Sequence, residues 1–317
     1  MTRAVLLAVS CSLLGCEPKL VVGERTAPAV ATAGSSDMPT MGGSGGISGV
    51  GGEPSDAGEA GEAGKGGTTG EGGEGGEGGE GGEAGAECPS TGVAIPAMTA
   101  PIAIPWSTGF EDAFCGYHDA GGFCYGGGSR KIVTSPVHSG RYAAEFTVTT
   151  ADTKSNQARC VRQGALPEEA YYGAWYYVPA VASLNSSNSL WNLWHFAGGD
   201  ASEEGLWDVT LVNTADGNLQ LLVFDFLNST VRKPANAPTI PIGSWFHIQF
   251  YLKRASDAKG AIRLYQDGKL LLEKTNLVTD NSSWAQWYVG NLAKELTPPE
   301  STLYVDDVTI GPTGISL

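Results

Sequence analysis

Ile242-Gly-Ser-Trp-Phe-His-Ile-Gln-Phe-Tyr-Leu-Lys253, followed after a short gap by Ala261-Ile-Arg-Leu-Tyr-Gln-Asp-Gly-Lys-Leu-Leu-Leu-Glu273, decides the fold. The first run opens on Trp245 and places Phe246, Ile248, Phe250 and Leu252 on one face. An apolar period of two marks a half-buried strand. The second run puts Ile262 and Leu264 on one face and breaks at Asp267-Gly268. That dipeptide tolerates the positive φ angles a two-residue hairpin turn requires. Together the two runs predict consecutive antiparallel strands and a third strand after the turn.

Working outward, similar short runs recur with turn residues between them. They fall at 109–113, 131–134, 141–149, 157–163, 171–178, 189–196, 207–213, 219–227, 287–291 and 301–311. With the three above they make thirteen strands over 230 residues from Cys88 onward, long enough for one domain with a sizeable core. Helical periodicity is almost absent. The expected fold class is all-β, a two-sheet antiparallel β-sandwich over residues 88–317. Its Trp-led strand pair and Asp-Gly-Lys turn resemble the concanavalin A-like and laminin-G-like jelly roll, a fold family dominated by glycan binders and glycan-cleaving enzymes.

The chain before Cys88 is a different material. Arg3 and the apolar run 4–14 have the layout of a signal peptide over residues 1–15, too short to span a ~30 Å hydrocarbon core. Leu13-Leu-Gly-Cys16 resembles a bacterial lipobox, which implies lipid on Cys16 and membrane attachment at the cell envelope. Residues 17–87 repeat Gly-Gly-Glu between Gly70 and Glu83 and show no apolar period. They are expected to be a disordered tether with an r.m.s. span of about 45–50 Å. The tether carries a net charge of −10 and residues 88–317 only −6. This balance argues against nucleic acid as a partner and leaves room for a polysaccharide, including an anionic one, bound by a monomer.

Four cysteines follow the tether: Cys88, Cys115, Cys124 and Cys160. In an exported domain they predict two disulfides, with three pairings open. Cys115–Cys124, closing the glycine-rich loop between them, with Cys88–Cys160 left over, is the favoured pairing. Their spacing matches no zinc site.

The order of the next strands carries the chemistry. Gln157-Ala-Arg-Cys-Val-Arg-Gln163 is followed by Tyr171-Tyr-Gly-Ala-Trp-Tyr-Tyr-Val-Pro179, and that by Leu190-Trp-Asn-Leu-Trp-His-Phe196. Trp287-Tyr-Val-Gly-Asn291 comes late in the chain. An arginine strand, an aromatic strand ending in Val-Pro, a Trp/His strand and a late Tyr strand resemble jelly-roll polysaccharide lyases of the alginate and heparin lyase type. A lyase of this kind neutralises a uronate carboxylate, removes the C5 proton and protonates the departing glycosidic oxygen. The resemblance implies Arg159 for the carboxylate, His195 as base or carboxylate partner, and Tyr288 as acid or base. The chain departs from the pattern at Leu193, where the alginate type carries Gln. It also lacks the Arg-x-Glu spacing on the arginine strand and the lysine before Gly290. Asn192 is adjacent to Leu193, but simple alternation turns it to the face opposite His195.

For sugar stacking, Trp191, Trp194 and Trp207 are the expected platforms, with Arg162 and Asn291 as polar partners; Trp175, Trp245 and Trp287 are expected in the core. The same resemblance implies that a Gly-Phe-Glu strand pairs with the terminal Val-Asp-Asp-Val strand. Glu111, Asp112, Asp306 and Asp307 would then supply oxygens for a structural calcium. No Glu-x-Asp-x-x-Glu run supports a retaining hydrolase, and no Gly-x-Ser-x-Gly elbow an esterase. The first expectation is therefore polysaccharide binding at the cell surface. The alternative is a β-eliminating polysaccharide lyase, and a protein-adhesion module is the third reading.

Overall fold

The computed structural model describes Cys88 and residues 100–118, 121–150, 154–184, 186–198, 205–280 and 285–315. The expected leader, the lipidated Cys16 and the tether to residue 87 lie outside the described residues. No helix among the described residues is long and apolar enough to cross a membrane.

The elements are β1 (Trp106–Thr108), α1 (Cys115–His118), β2 (Phe123–Tyr125), β3 (Ser129–Val133), β4 (Ala143–Thr149) and β5 (Asn156–Gly164). Next come β6 (Glu169–Tyr177), β7 (Ser183–Leu184), β8 (Leu190–Gly198), β9 (Gly205–Asn213), β10 (Leu219–Asp225) and β11 (Thr230–Arg232). The chain ends with β12 (Trp245–Lys253), β13 (Gly260–Gln266), β14 (Lys269–Leu277), β15 (Ala285–Lys294), β16 (Leu296–Thr297) and β17 (Glu300–Gly311). One sheet runs β14-β13-β12-β6-β17-β4-β3, with β1 added on β17. The other runs β11-β10-β9-β8-β15-β5-β2, and all its ladders are antiparallel. This is the expected sandwich.

The alternation that predicts β12 also builds the core. Phe246, Ile248 and Phe250 lie opposite Tyr176, Ala174 and Tyr172 of β6, and all six are fully buried. Tyr172 meets the other sheet edge to face, 5.0 Å from Phe196 and 5.0 Å from Trp287, and within that sheet Trp194 lies 5.3 Å from Trp287. Burying each such side chain contributes roughly 1.5–3 kcal/mol. At the predicted turn, Asp267 and Gly268 have φ of 49° and 73°, both in the left-handed region.

Two expectations fail at the start of the domain. Residues 109–113 form a turn rather than the first strand; Phe110 has φ 58° and is buried in the core, and β1 just upstream makes the pairing with β17. The disulfides are Cys88–Cys115 and Cys124–Cys160, not the favoured pairing. The cause is β2, which pairs with β5 and sets Cys124 directly opposite Cys160. Cys115 opens α1 instead and is left for Cys88.

The acidic residues at this end of the sandwich hold a turn. Asp306 Oδ2 accepts the backbone N–H groups of His138 and Ser139. Asp307 takes the His138 ring at 2.7 Å and the Ser139 hydroxyl, and Glu111 accepts the amides of Arg141 and Tyr142. Three of the four carboxylates expected for calcium, those of Glu111, Asp306 and Asp307, thus bond this turn, and among the described residues no group of three or more His, Cys, Asp or Glu side chains is placed to hold a metal ion.

Candidate active site

The outer face of the second sheet gathers the chemistry. β15 lies between β5 and β8, and its Tyr288 sits opposite Val161 on one side and His195 on the other. Residues opposite each other share a face, so Tyr288, His195 and Val161 point the same way. Arg159, two positions from Val161, joins them. Its own partner on β15 is Gly290, which presents no side chain. The His195 and Tyr288 rings lie 5.3 Å apart, and the Arg159 guanidinium stands 5.7 Å from the Tyr288 ring centre. Sequence alternation thus brings together the three residues named for the chemistry.

Three further residues complete the site. Asp208 of β9 lies opposite His195, and its Oδ1 is 2.6 Å from His195 Nδ1. A carboxylate on Nδ1 holds the proton there and leaves Nε2 as the basic nitrogen. Tyr125 of β2 lies opposite Arg159 and packs 6.2 Å from the Tyr288 ring. The third is Asn192, whose Oδ1 accepts from Arg159 Nη2 at 2.6 Å. The expectation that Asn192 faces away from His195 is overturned by a β-bulge between Asn192 and Trp194. Leu193 and Trp194 are consecutive and both fully buried, so the alternation skips a step and Asn192 returns to the His195 face. Asp208 does have a signal in sequence, a lone acid at an alternate position of an otherwise apolar strand.

Burial sets the electrostatics. Arg159 is only 4% exposed and makes no salt bridge among the described residues; its Nε has no partner, nor does Asn192 Nδ2. Burial pulls the guanidinium pKa below its ordinary value, while the charge of Asp208 and the nearby Tyr125, Tyr288 and Tyr176 oppose that shift. His195 keeps 21% of its side chain exposed, so the groove reaches solvent at the histidine. The Tyr288 hydroxyl donates to Gln286 Oε1, and Phe226 stands edge-on to His195 at 5.9 Å.

The expected sugar platforms are elsewhere. Trp191, Trp194 and Trp207 are at most 1% exposed and belong to the core, so they do not stack on a sugar. Trp287 is core, as expected, whereas Trp175 and Trp245 are half-buried on the outer face of the first sheet, where His138 stacks on Trp175 at 3.7 Å. Arg162 turns inward over Trp106 at 5.5 Å, away from the groove. Asn291 is fully buried and structural: its Nδ2 donates to the Phe146 and Ser301 carbonyls, and its Oδ1 accepts from Trp191.

The profile of a family described as "Polysaccharide lyase" matches residues 110–309. No curated protein matches the chain. Among solved structures, an endo-β-1,4-glucuronan lyase from the fungus Trichoderma reesei is 20% identical, covering 60% of this chain and 90% of that one, with a TM-score of 0.47. The cellulose-induced protein Cip1 is 12% identical, over 67% and 99% of the two chains, with a TM-score of 0.49. The alginate lyase vAL-1 from Chlorella virus is 10% identical, over 57% and 89%, with a TM-score of 0.38.

Proposed function

The chain belongs to the polysaccharide lyase family, and from that premise we propose that it cleaves a uronate-containing polysaccharide by β-elimination in the groove around Tyr288. The observation that carries this reading is Arg159, a buried guanidinium with no carboxylate partner of its own. A buried charge without a direct ion pair costs several kcal/mol; the nearby charge of Asp208 offsets part of it, and a uronate carboxylate entering the groove relieves more. Asn192 Nδ2, also buried and unpartnered, supplies a neutral donor beside it.

Neutralising the carboxylate acidifies the C5 proton, as electrostatic stabilisation of a developing carbanion requires. His195 Nε2 takes that proton, with Asp208 holding the ring and stabilising the imidazolium. The electron pair of the C5–H bond forms the C4–C5 double bond as the C4–O bond breaks. Tyr288 gives its proton to the departing oxygen, and exchange with solvent returns both side chains to their starting states. A purely binding role, the first expectation from sequence, leaves the Asp208–His195 pair and its neighbour Tyr288 without a task. The signal segment and Cys16 extend the proposal to an envelope-anchored enzyme, supported by sequence alone.

The test is to incubate the purified protein with uronate-containing polysaccharides and follow the ultraviolet absorbance of the unsaturated product. Absorbance should rise, and His195→Ala should lower the rate by about 10²–10⁴-fold. Binding without any rise in absorbance would return the protein to the lectin reading.

A further inference from the structure

Residues 88–317 contain fifteen Lys and Arg side chains, and all of them lie among the described residues. Only one of them, Arg159, stands in the groove beside Tyr288. Arg162, on the same strand, is turned inward over Trp106. Arg232 on β11 is held by Asp225, which is itself fully buried. Lys294 lies near Glu295 and six positions along β15 from Tyr288, about 20 Å at ~3.3 Å per residue. Lys233 follows β11, three strands from β8, roughly 14 Å at ~4.8 Å per strand. Lys154 precedes β5, five positions before Arg159, about 17 Å at ~3.3 Å per residue.

The surface flanking Arg159 is neutral or acidic instead. Gln163 and Gln286 share its face on one side, and Thr210, Gln220 and Phe224 on the other. Among the described residues, the one charged side chain added beside Arg159 is Asp208, an anion. A homopolyuronate brings one carboxylate per sugar. The carboxylates on the sugars either side of the first would enter this groove without a cation to meet them, losing hydration for no return and facing Asp208.

Resting on the lyase reading, we propose that the polymer cleaved here is a heteropolymer: a uronate at the scissile position, flanked on both sides by uncharged sugars. The single cation at the centre selects the charged residue, and the amide, hydroxyl and aromatic lining receives the neutral neighbours through hydrogen bonds and ring contacts. A groove with one cation also has little dependence on ionic strength, because few charges are brought together and the pair formed is buried from screening ions.

The experiment compares the full chain on two sets of polymers at low and high salt, reading the unsaturated product. One set carries one glucuronate per repeat between neutral sugars, as hyaluronan and gellan do. The other set is alginate, polygalacturonate and polyglucuronate. Activity on at least one heteropolymer should exceed that on every homopolyuronate by about tenfold or more in kcat/KM, and should change little with salt. Phe224→Lys, which adds a cation opposite Asp208 on the groove face and one strand closer than β11, should raise activity on the homopolymers and give it a salt dependence. Preference of the unaltered protein for a homopolyuronate, falling steeply with salt, would overturn this inference and leave the lyase reading standing. Absence of unsaturated product from all the polymers would remove both.

Discussion

Asp208 is the residue on which His195 depends, and it separates a catalytic histidine from a merely buried one. With Oδ1 2.6 Å from Nδ1, it fixes the tautomer that leaves Nε2 basic and offsets the charge that proton abstraction creates. Asp208→Asn keeps the size of the side chain and removes that charge. It should lower kcat by about 100-fold or more while changing KM little, in a protein whose thermal unfolding is otherwise normal. Arg159 predicts the opposite division. Arg159→Lys keeps a cation but loses the planar fork that bonds Asn192 and receives a carboxylate. It should lower kcat/KM on the uronate polymer by about 10–100-fold and have a smaller effect on a substrate whose carboxyl is methyl-esterified. These side chains were legible in sequence to different degrees. Arg159, His195 and Tyr288 stand at alternate positions of strongly periodic strands, so facing could be read directly. The tryptophans misled because size alone does not say which face a Trp occupies: Trp191, Trp194 and Trp207 fill the sandwich, where bulky rings bury the most area.

At the scale of elements, the site is made by two irregularities that no period of two reveals. β8 bulges between Asn192 and Trp194, and β15 shifts register between Val289 and Leu292, beside it. One hydroxyl from the opposite sheet serves both. Tyr176 donates to the Leu193 carbonyl at 3.1 Å and accepts from the Gly290 amide at 3.4 Å. Burial, outweighing the Gly290 amide, Trp194 and the charge of Arg159, raises its pKa, so it remains a neutral donor. At Gly290, φ is 141° and an added Cβ would stand 2.5 Å from the Ala158 carbonyl oxygen, so only glycine suits the bulge. Tyr176→Phe deletes the bridge and leaves a buried carbonyl unsatisfied. It should cost about 1–3 kcal/mol in denaturant unfolding, and the resulting shift of Asn192 should lower kcat between about 10- and 100-fold. Loss of stability with kcat unchanged would show that the bulge is set by β9 and β15 alone. The strands themselves were visible from Trp245 to Gln266 because apolar alternation and a turn dipeptide agree there. The short β2 was missed because Phe123-Cys-Tyr125 is too brief to show a period, and with it went the disulfide pairing.

Across the whole molecule, the sheet opposite the groove carries two titrations of opposite sign. His247 of β12 and Asp306 of β17 flank Trp175 of β6 as its cross-strand partners. Burial, helped by the neighbouring His138 and opposed by Asp307, lowers the His247 pKa from 6.5 to about 4. Burial also raises Asp306 from 3.8 to about 6, against the amides of Ser139, Asp307 and His138 and with the charge of Asp307. Between about pH 4 and 6.5 the unfolded chain binds more protons at His247 than the folded one, so this group makes stability fall as pH falls. Between about pH 3.8 and 6 the folded chain binds more protons at Asp306, so that group makes stability rise as pH falls. Each is worth on the order of 3 kcal/mol across its window, and the windows overlap, so the two largely cancel. Denaturant unfolding of the unaltered protein should therefore show only a shallow contribution from this cluster over that range. Asp306→Asn retains an acceptor for the His138 and Ser139 amides and leaves His247 uncompensated, so its stability should drop steeply below pH 6. His247→Gln leaves Asp306 uncompensated, so its stability relative to the unaltered protein should improve as the pH is lowered from 6 to 4. Parallel curves for both variants would mean that neither group changes its proton affinity on folding.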